Sequence, residues 1–152
     1  MVQSWLLPAA IVLAFPAMAA APGVKTQFIG GTLAGISPKS NARLDLTGND
    51  AMSFRCGKTE LAITWPRINT VEYGQNVSRR YAAGILISPI LLLSKSRKHF
   101  VTIGYEDTGG RQQALVLRVD KGDIRFVLAA LEARTGRRIE YQDEEARKTL
   151  KE

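Results

Sequence analysis

The chain has 152 residues, of which 45% are hydrophobic and 23% charged, so it is long enough for one domain with a buried core and is unlike a disordered chain or a coiled coil. Lys and Arg outnumber Asp and Glu by 21 to 14, which gives a formal net charge of +7. One Cys and one His exclude an internal disulfide and a Cys/His zinc site, so neither a metal nor another cofactor is expected.

The amino terminus has the features of a secretory signal peptide. No charged side chain occurs before Lys25, residues 5–15 are apolar, and Ala17 and Ala19 form a small-x-small cleavage site. We predict that residues 1–19 are a signal peptide and that the protein is exported, to the periplasm or out of the cell. Two alternatives stay open: an uncleaved membrane anchor, although a span needs about 20 apolar residues, and a buried core helix.

Short runs of period two, separated by turn residues, predict antiparallel strands after residue 24. In the last long run Leu115, Leu117 and Val119 are expected to face inward, and Phe54 and Cys56 share one face of an earlier strand. We expect the Cys56 thiol to be buried and inert, and pairing with another chain is the alternative. The predicted strands cover residues 28–33, 42–47, 51–56, 60–65, 68–73, 99–106 and 112–119, with a short one at 138–141.

The period then changes to that of a helix. Apolar residues at i, i+3, i+4 and i+7 predict an amphipathic helix over about 123–135, in which Asp120 caps the start and Gly136 follows the last turn. Residues 142–152 are nearly all polar or charged and are predicted to form a frayed helical tail. One domain is therefore expected over 24–141. The apolar helix positions are Ile124, Val127, Leu128 and Leu131.

Strands followed by one helix are the plan of the pleckstrin-homology-like (PH-like) β-barrel, and one stretch of the chain carries the likeness in detail. A hairpin strand at 42–47 leads into 52–54, and an Ile-x-x-Val-x-Tyr-Gly segment follows at 68–74. Through these residues the stretch 41–75 resembles the GRAM and bacterial PH-like families.

The segment 98–105 and the end of the predicted helix, 132–136, resemble those of uncharacterised exported bacterial proteins. The resemblance implies a mainly β (α+β) fold: a PH-like antiparallel β-barrel of about seven strands closed by one C-terminal amphipathic helix. It implies no single function, because the fold hosts binders of lipids, peptides and proteins. Phosphoinositide-binding members place several basic residues around their first hairpin; Lys39 and Arg43 lie there in this chain, but Asp45 stands where a further basic residue would fall.

The segment 79–98 breaks the alternation of the strands. Fourteen uncharged and mostly aliphatic residues lie between Arg80 and Lys95. As a helix this stretch would span about 21 Å, less than the roughly 30 Å hydrocarbon core of a bilayer, so it is not expected to cross one. The candidates for membrane or partner contact are Arg79, Arg80, Ile85, Leu86, Ile87, Leu91, Leu92, Lys95, Arg97 and Lys98.

The segment is a candidate for contact with an anionic membrane surface, where basic side chains contribute about 1 kcal/mol each, or with an envelope protein. The alternative is structural. A buried strand can be continuously apolar, so the segment could form a strand and loop that cover an open end of the barrel, with its basic side chains merely solvated.

No catalytic constellation is visible, and no catalytic residue is predicted. Cys56 and His99 are the candidates for a nucleophile pair, but nothing in the sequence places them together, and His99 lies on the apolar face of its predicted strand. Four carboxylates fall at predicted turns, where such groups commonly serve the turn itself. They are Asp45, Asp50, Glu106 and Asp107.

The sequence therefore predicts a non-catalytic, membrane-associated binding module of the cell envelope, which contacts a membrane surface or a protein partner through 79–98. Nucleic acid is not expected as a partner, because the basic residues are spread over several elements and the protein is predicted to be exported. The alternative is an enzyme of unknown reaction that uses Cys56 or His99. The oligomeric state is left open.

Overall fold

The computed structural model of the protein describes residues 23–75, 98–142, 144–149 and 151. The predicted signal peptide, residues 1–19, lies outside these residues. In chain order the elements are β1 (Val24–Gly31), β2 (Ser40–Asp45), β3 (Ala51–Cys56), β4 (Thr59–Thr64), a 3-10 turn (Trp65–Arg67), β5 (Ile68–Gly74), β6 (His99–Glu106), β7 (Gln112–Val119), α1 (Ile124–Thr135), β8 (Glu140–Tyr141) and α2 (Glu144–Thr149).

The eight strands form one mixed sheet in the order β4-β3-β2-β1-β7-β6-β5-β8. Neighbouring strands are antiparallel except β5 and β8, which run parallel. The edges of the sheet are β4 and β8, and within the described ranges no pairing joins them, so the sheet is open. The prediction of a mainly β fold is confirmed, with eight strands rather than about seven because the two-residue β8 adds to the edge at β5.

One face of the sheet carries the hydrophobic core. Leu115, Leu117 and Val119 of β7 are buried there, as their period-two spacing predicted, and Ala42 and Leu44 of β2 lie on the same face. Fully burying a side chain of this size is worth about 1.5–3 kcal/mol. This face therefore supplies most of the driving force for folding.

The central strands are buried on their second face as well. All residues of β6 from 100 to 105 are buried, although only Val101, Ile103 and Tyr105 of them belong to the core. Alternation of polar and apolar residues is therefore weak in the middle of the sheet, where both faces are covered. The apolar side chains that are buried outside the core are Ile29, Phe100, Ala114 and Val116.

Strand β1 lies earlier in the chain than its predicted range of 28–33. It spans Val24–Gly31, because its polar residues Lys25 and Gln27 pair with β2 and alternate with the buried Thr26 and Phe28. The register with β7 shifts by one residue between Phe28 and Gly30, as in a β-bulge.

The predicted helix is confirmed as α1, but the prediction for its cap is wrong. The helix begins at Ile124, its N-cap is Asp123, and no side chain caps it. A turn separates Asp120 from the helix, so Asp120 contributes its backbone carbonyl, which accepts hydrogen bonds from the N–H groups of Asp123 and Ile124 at 3.0 Å. Gly136 ends the helix in the left-handed conformation, with φ of 66°.

The 3-10 turn connects the edge strand β4 to β5 in the other half of the sheet. Its Trp65 is buried, and the indole N–H donates to the carbonyl oxygens of Gly48 and Asn49 at 3.2 and 3.1 Å. The guanidinium of Arg134, in the last turn of α1, lies 5.8 Å from the Trp65 ring centroid, within cation–π range. The turn, the loop between β2 and β3, and the end of α1 therefore meet at Trp65.

The charged tail contains the helix that its composition predicted. The short helix α2 follows β8, and its Ala146 is buried against the core. The backbone N–H of Gln142 donates to the carbonyl oxygen of Tyr73 at 3.1 Å, which holds the start of the tail against β5. Neither α1 nor α2, the helices of the described residues, is long and apolar enough to cross a membrane.

Truncation of Leu131 tests the packing of α1. Leu131 is fully buried, so Leu131→Ala is expected to lower the free energy of unfolding by about 2–5 kcal/mol through lost burial and a cavity. Urea unfolding followed by circular dichroism measures the change. The matched control is Phe126→Ala on the same helix, where the side chain is 55% exposed and the loss should stay below about 0.5 kcal/mol. Equal losses for the two variants would contradict this packing.

Candidate functional site

Lys98 is the one residue of the predicted contact segment that lies among the described residues. It immediately precedes β6 and is partly exposed. His99 next to it pairs with Val119 of β7, so extension of this register by one residue sets Lys98 opposite Asp120. The other predicted contact residues lie outside the described residues: Arg79, Arg80, Ile85, Leu86, Ile87, Leu91, Leu92, Lys95 and Arg97.

Three basic side chains lie side by side on adjacent strands. Lys25 of β1 is directly opposite Arg43 of β2, and Arg43 is directly opposite Arg55 of β3. Each alternates with buried core residues of its strand, which places all three on the face of the sheet away from the core. Extension of the β1–β7 register by one residue sets Lys25 opposite Asp120, and so in one row with Lys98.

A second row on the same face adds one more cation. Arg118 of β7 is opposite Gln27 of β1, and Gln27 is opposite Asn41 of β2. The side chain of Arg118 donates to Oε1 of Gln27 at 3.4 Å. We call the surface formed by Lys25, Arg43, Arg55 and Arg118 the basic face.

Two adjoining hollows lie on the basic face. The first hollow has a volume of about 490 Å³ and the second of about 260 Å³. Both are lined by Lys25, Thr26 and Asn41, so one wall is common to the two. The first is also lined by Ala42, Arg43, Arg55 and Gly57, and the second by Gln27, Arg118 and Asp120.

The adjacent cations of the basic face lower the stability of the folded protein. Like charges directly opposite each other on neighbouring strands are destabilising, and Arg43 has such a neighbour on either side. Arg55 forms a salt bridge with Glu60 at 2.8 Å, but both side chains are largely exposed, where an ion pair is worth about 0–1 kcal/mol. The row therefore has three adjacent cations between Glu60 at one end and Asp120 at the other, and binding of an anion would relieve the repulsion among them.

Sequence reasoning did not identify the basic face. Arg43 lies on the side of its strand away from Leu44, which alternation within one strand is enough to indicate. Lys25 lies beside Arg43 only because β1 pairs with β2. Arg118 joins them only because β1 also pairs with β7, which is distant in the chain. The available signal was a basic residue at an outward position in each of several strands.

Cys56 is buried at the end of β3, as predicted. Its Sγ donates to the backbone carbonyl of Asn41 at 3.4 Å, and burial raises the pKa of the thiol. A raised pKa leaves little thiolate at neutral pH, which is the opposite of what a nucleophile needs. Strands β2, β1 and β7 lie between Cys56 and His99, so the fold does not place these two residues on neighbouring strands.

His99 has a different neighbour, Tyr73 of β5. Its Nδ1 is 2.7 Å from the Tyr73 hydroxyl, and the two rings stack with centroids 5.9 Å apart. Desolvation by burial and, second, the charge of Lys121 lower the pKa of His99. The imidazole is therefore neutral at pH 7 and contributes to packing at the start of β6.

Two of the predicted turn carboxylates do serve their turns. The hydroxyl and the backbone N–H of Thr47 donate to Asp45 and lower its pKa. Asp107 accepts hydrogen bonds from the backbone N–H groups of Arg111 and Gly109, which lower its pKa. Within residues 23–75, 98–142 and 144–149, no group of three or more His, Cys, Asp or Glu side chains could hold a metal ion.

Comparison with known proteins gives no relative. No protein-family model matches the chain, and no curated protein is significantly similar to it in sequence. A function is argued below from the basic face and its two hollows.

The pH dependence of stability tests the environment of His99. Because its pKa is lowered in the folded protein, the neutral imidazole contributes stability that is present above about pH 6.5, the unfolded value. That contribution is lost as the pH falls through the folded pKa. We expect the free energy of unfolding, measured in urea between pH 8 and pH 5, to fall more steeply in the wild type than in His99→Asn.

Asn is the matched replacement in this experiment, because its amide takes the position of Nδ1 opposite the Tyr73 hydroxyl and does not titrate. The lowered pKa values of Asp45 and Asp107 affect both proteins equally and act at lower pH. Parallel curves for the two proteins from pH 8 to pH 5 would contradict the assignment.

Proposed function

We propose that the protein is a non-catalytic binding module of the cell envelope that docks on an anionic membrane surface. The contact is the basic face, together with Lys98 and the other basic residues that flank the apolar part of the segment 79–98. The proposed fold is a PH-like barrel with an opening between the edge strands β4 and β8, and the module needs neither a cofactor nor a metal.

The order of the strands and the position of the helix support the PH-like fold. Strands β1–β4 and β5–β7 are two local meanders, and they join through the pairing of β1 with β7. One helix follows the last long strand, and its Ile124, Val127, Leu128 and Leu131 pack into the core. A set of strands closed by a C-terminal helix is the plan that the sequence resemblance implies.

The observation that carries the proposed function is the row of three cations on adjacent strands, Lys25, Arg43 and Arg55. Near an anionic bilayer each basic residue contributes about 1 kcal/mol, so the four cations of the basic face supply about 4 kcal/mol. That corresponds to a dissociation constant of about 1 mM. Stable docking requires more attraction than this, and the basic residues of the segment 79–98 are proposed to supply it. Lys98, at the end of that segment, lies in the same row of the sheet as Lys25, Arg43 and Arg55.

A membrane suits this face better than the other anionic partners of a cell. A sheet face with cations spread over four strands matches an extended array of headgroups, whereas a duplex is commonly bound through one element in a groove. Export, which the amino-terminal sequence predicts, also removes the protein from nucleic acids. The remaining alternative partner is an acidic envelope protein. The vesicle experiments below separate the two, because a protein that binds only such a partner does not bind vesicles.

Sedimentation with vesicles tests the docking. The purified protein is expected to bind vesicles that contain phosphatidylglycerol, to ignore neutral phosphatidylcholine vesicles, and to lose binding as salt is raised. The triple variant Lys25→Gln/Arg43→Gln/Arg55→Gln removes about 3 kcal/mol of attraction and should bind at least about 100-fold more weakly.

The matched control removes the same charge from another surface. Arg125→Gln/Arg137→Gln/Arg138→Gln changes three exposed arginines on or after α1 and should bind within about threefold of wild type. Thermal melting of both variants checks that they fold. Equal binding by the two triple variants, or no binding of the wild type to either vesicle, would refute docking through the basic face and leave a protein partner.

The contribution of the predicted contact segment is measured separately. The double variant Ile87→Asp/Leu91→Asp adds two charges to its apolar part, and Arg97→Ala/Lys98→Ala removes two basic residues. If the segment contacts the membrane, both variants weaken vesicle binding while the melting temperature is unchanged. A large fall in melting temperature for Ile87→Asp/Leu91→Asp would instead indicate that the apolar part is structural.

A further inference from the structure

We propose, on the basis of the membrane docking proposed above, that the basic face binds a lipid headgroup that carries two phosphate groups, one in each hollow. The first hollow holds one phosphate between Lys25, Arg43 and Arg55. The second holds the other beside Arg118. Asn41 and Lys25, which line both hollows, contact the part of the headgroup that joins the two phosphates.

The division into two hollows is the first reason. Each has an arginine of its own: Arg43 and Arg55 line the first, and Arg118 lines the second. Guanidinium groups bind phosphate oxygens bidentately and with defined geometry, so each hollow is equipped for one phosphate. A ligand with a single phosphate would occupy one hollow and leave the arginine of the other unused.

The directions of the arginine side chains are the second reason. Nη1 of Arg43 donates to the carbonyl oxygen of Gly23 at 3.3 Å, whereas Nη1 of Arg118 donates to Oε1 of Gln27 at 3.4 Å. Arg43 and Arg118 lie on β2 and β7, on either side of β1, and are opposite Lys25 and Gln27, so their Cα atoms are about 12 Å apart. The two guanidinium groups therefore have different acceptors, and each is placed to hold the phosphate of its own hollow.

The neutral and acidic groups around the two hollows are consistent with one phosphate in each hollow. Asn41 supplies an amide that can donate from the shared wall, and none of the salt bridges found among the described residues involves Lys25. Two carboxylates bound the face, Glu60 beside Arg55 and Asp120 in the second hollow. Asp120 repels a phosphate there, so its removal is expected to strengthen binding rather than weaken it.

The first arm of the test uses soluble phosphates and the full chain. Fructose 1,6-bisphosphate and fructose 6-phosphate differ by one phosphate group and present no membrane. By calorimetry or nuclear magnetic resonance titration, the bisphosphate is expected to bind about fivefold more tightly, the effect of one additional cationic contact. Arg118→Gln should abolish this ratio, and the exposed control Arg125→Gln should retain it.

The second arm uses vesicles with equal phosphate content. Cardiolipin carries two phosphate groups in one headgroup, and phosphatidylglycerol carries one. We expect wild type to bind cardiolipin vesicles about fivefold more tightly and Arg118→Gln to bind both kinds equally, with its affinity for phosphatidylglycerol close to that of Arg125→Gln. Asp120→Asn should increase the preference for cardiolipin, an outcome that loss of folding does not produce.

The outcomes separate the headgroup from the docking itself. Equal affinity for the two anionic vesicles, or a preference that Arg118→Gln retains, overturns the two-phosphate headgroup and leaves the proposed docking intact. A preference for the soluble bisphosphate without a preference for cardiolipin overturns the lipid as the source of the phosphates. Binding to neither vesicle overturns the proposed function and the headgroup together.

Discussion

Burial of one face of an open sheet is the constraint on which the rest of the structure depends. Among the described strands the sheet does not close on itself, so its apolar face needs a cover, and the buried residues of α1 supply part of it. Trp65 holds this arrangement together, because it lies where the chain leaves β4 and contacts both the β2–β3 loop and Arg134 of α1. The packing of α1 and the connection from β4 to β5 therefore depend on each other through Trp65.

The same burial determines which residues are available for binding. Because successive side chains of a strand point to opposite faces, the residues that alternate with the core of β1, β2 and β3 must lie on the other face. There the chain places three like charges next to one another, which weakens the sheet, although Glu60 and Asp120 stand at the two ends of the row. Binding of an anionic partner, as proposed above, would offset this loss.

Local patterns predicted local structure well. The ranges of β3, β6 and β7 agree with their predicted ranges, because hairpins and period-two alternation depend on near neighbours. The start of β1 and the capping of α1 were predicted wrongly, since the first depends on pairing with two other strands and the second on an extra turn after Asp120. The basic face escaped prediction for the same reason as β1: its residues become neighbours only through the strand order.

The position of β1 has a consequence for how the chain folds. Among the described residues, five of the seven strand pairings join consecutive strands, whereas β5 pairs with β8 about 70 residues away and β1 pairs with β7 about 90 residues away. Contacts of such separation form late and slowly, because the closure entropy of the intervening chain must be overcome before they stabilise anything. We therefore expect a two-stage assembly, with meanders β1–β4 and β5–β7 forming independently and the β1–β7 seam closing last. Until that step the exposed edges of β1 and β7 are open to pairing with other chains, which makes the interval before closure the time at which this protein is most prone to aggregate.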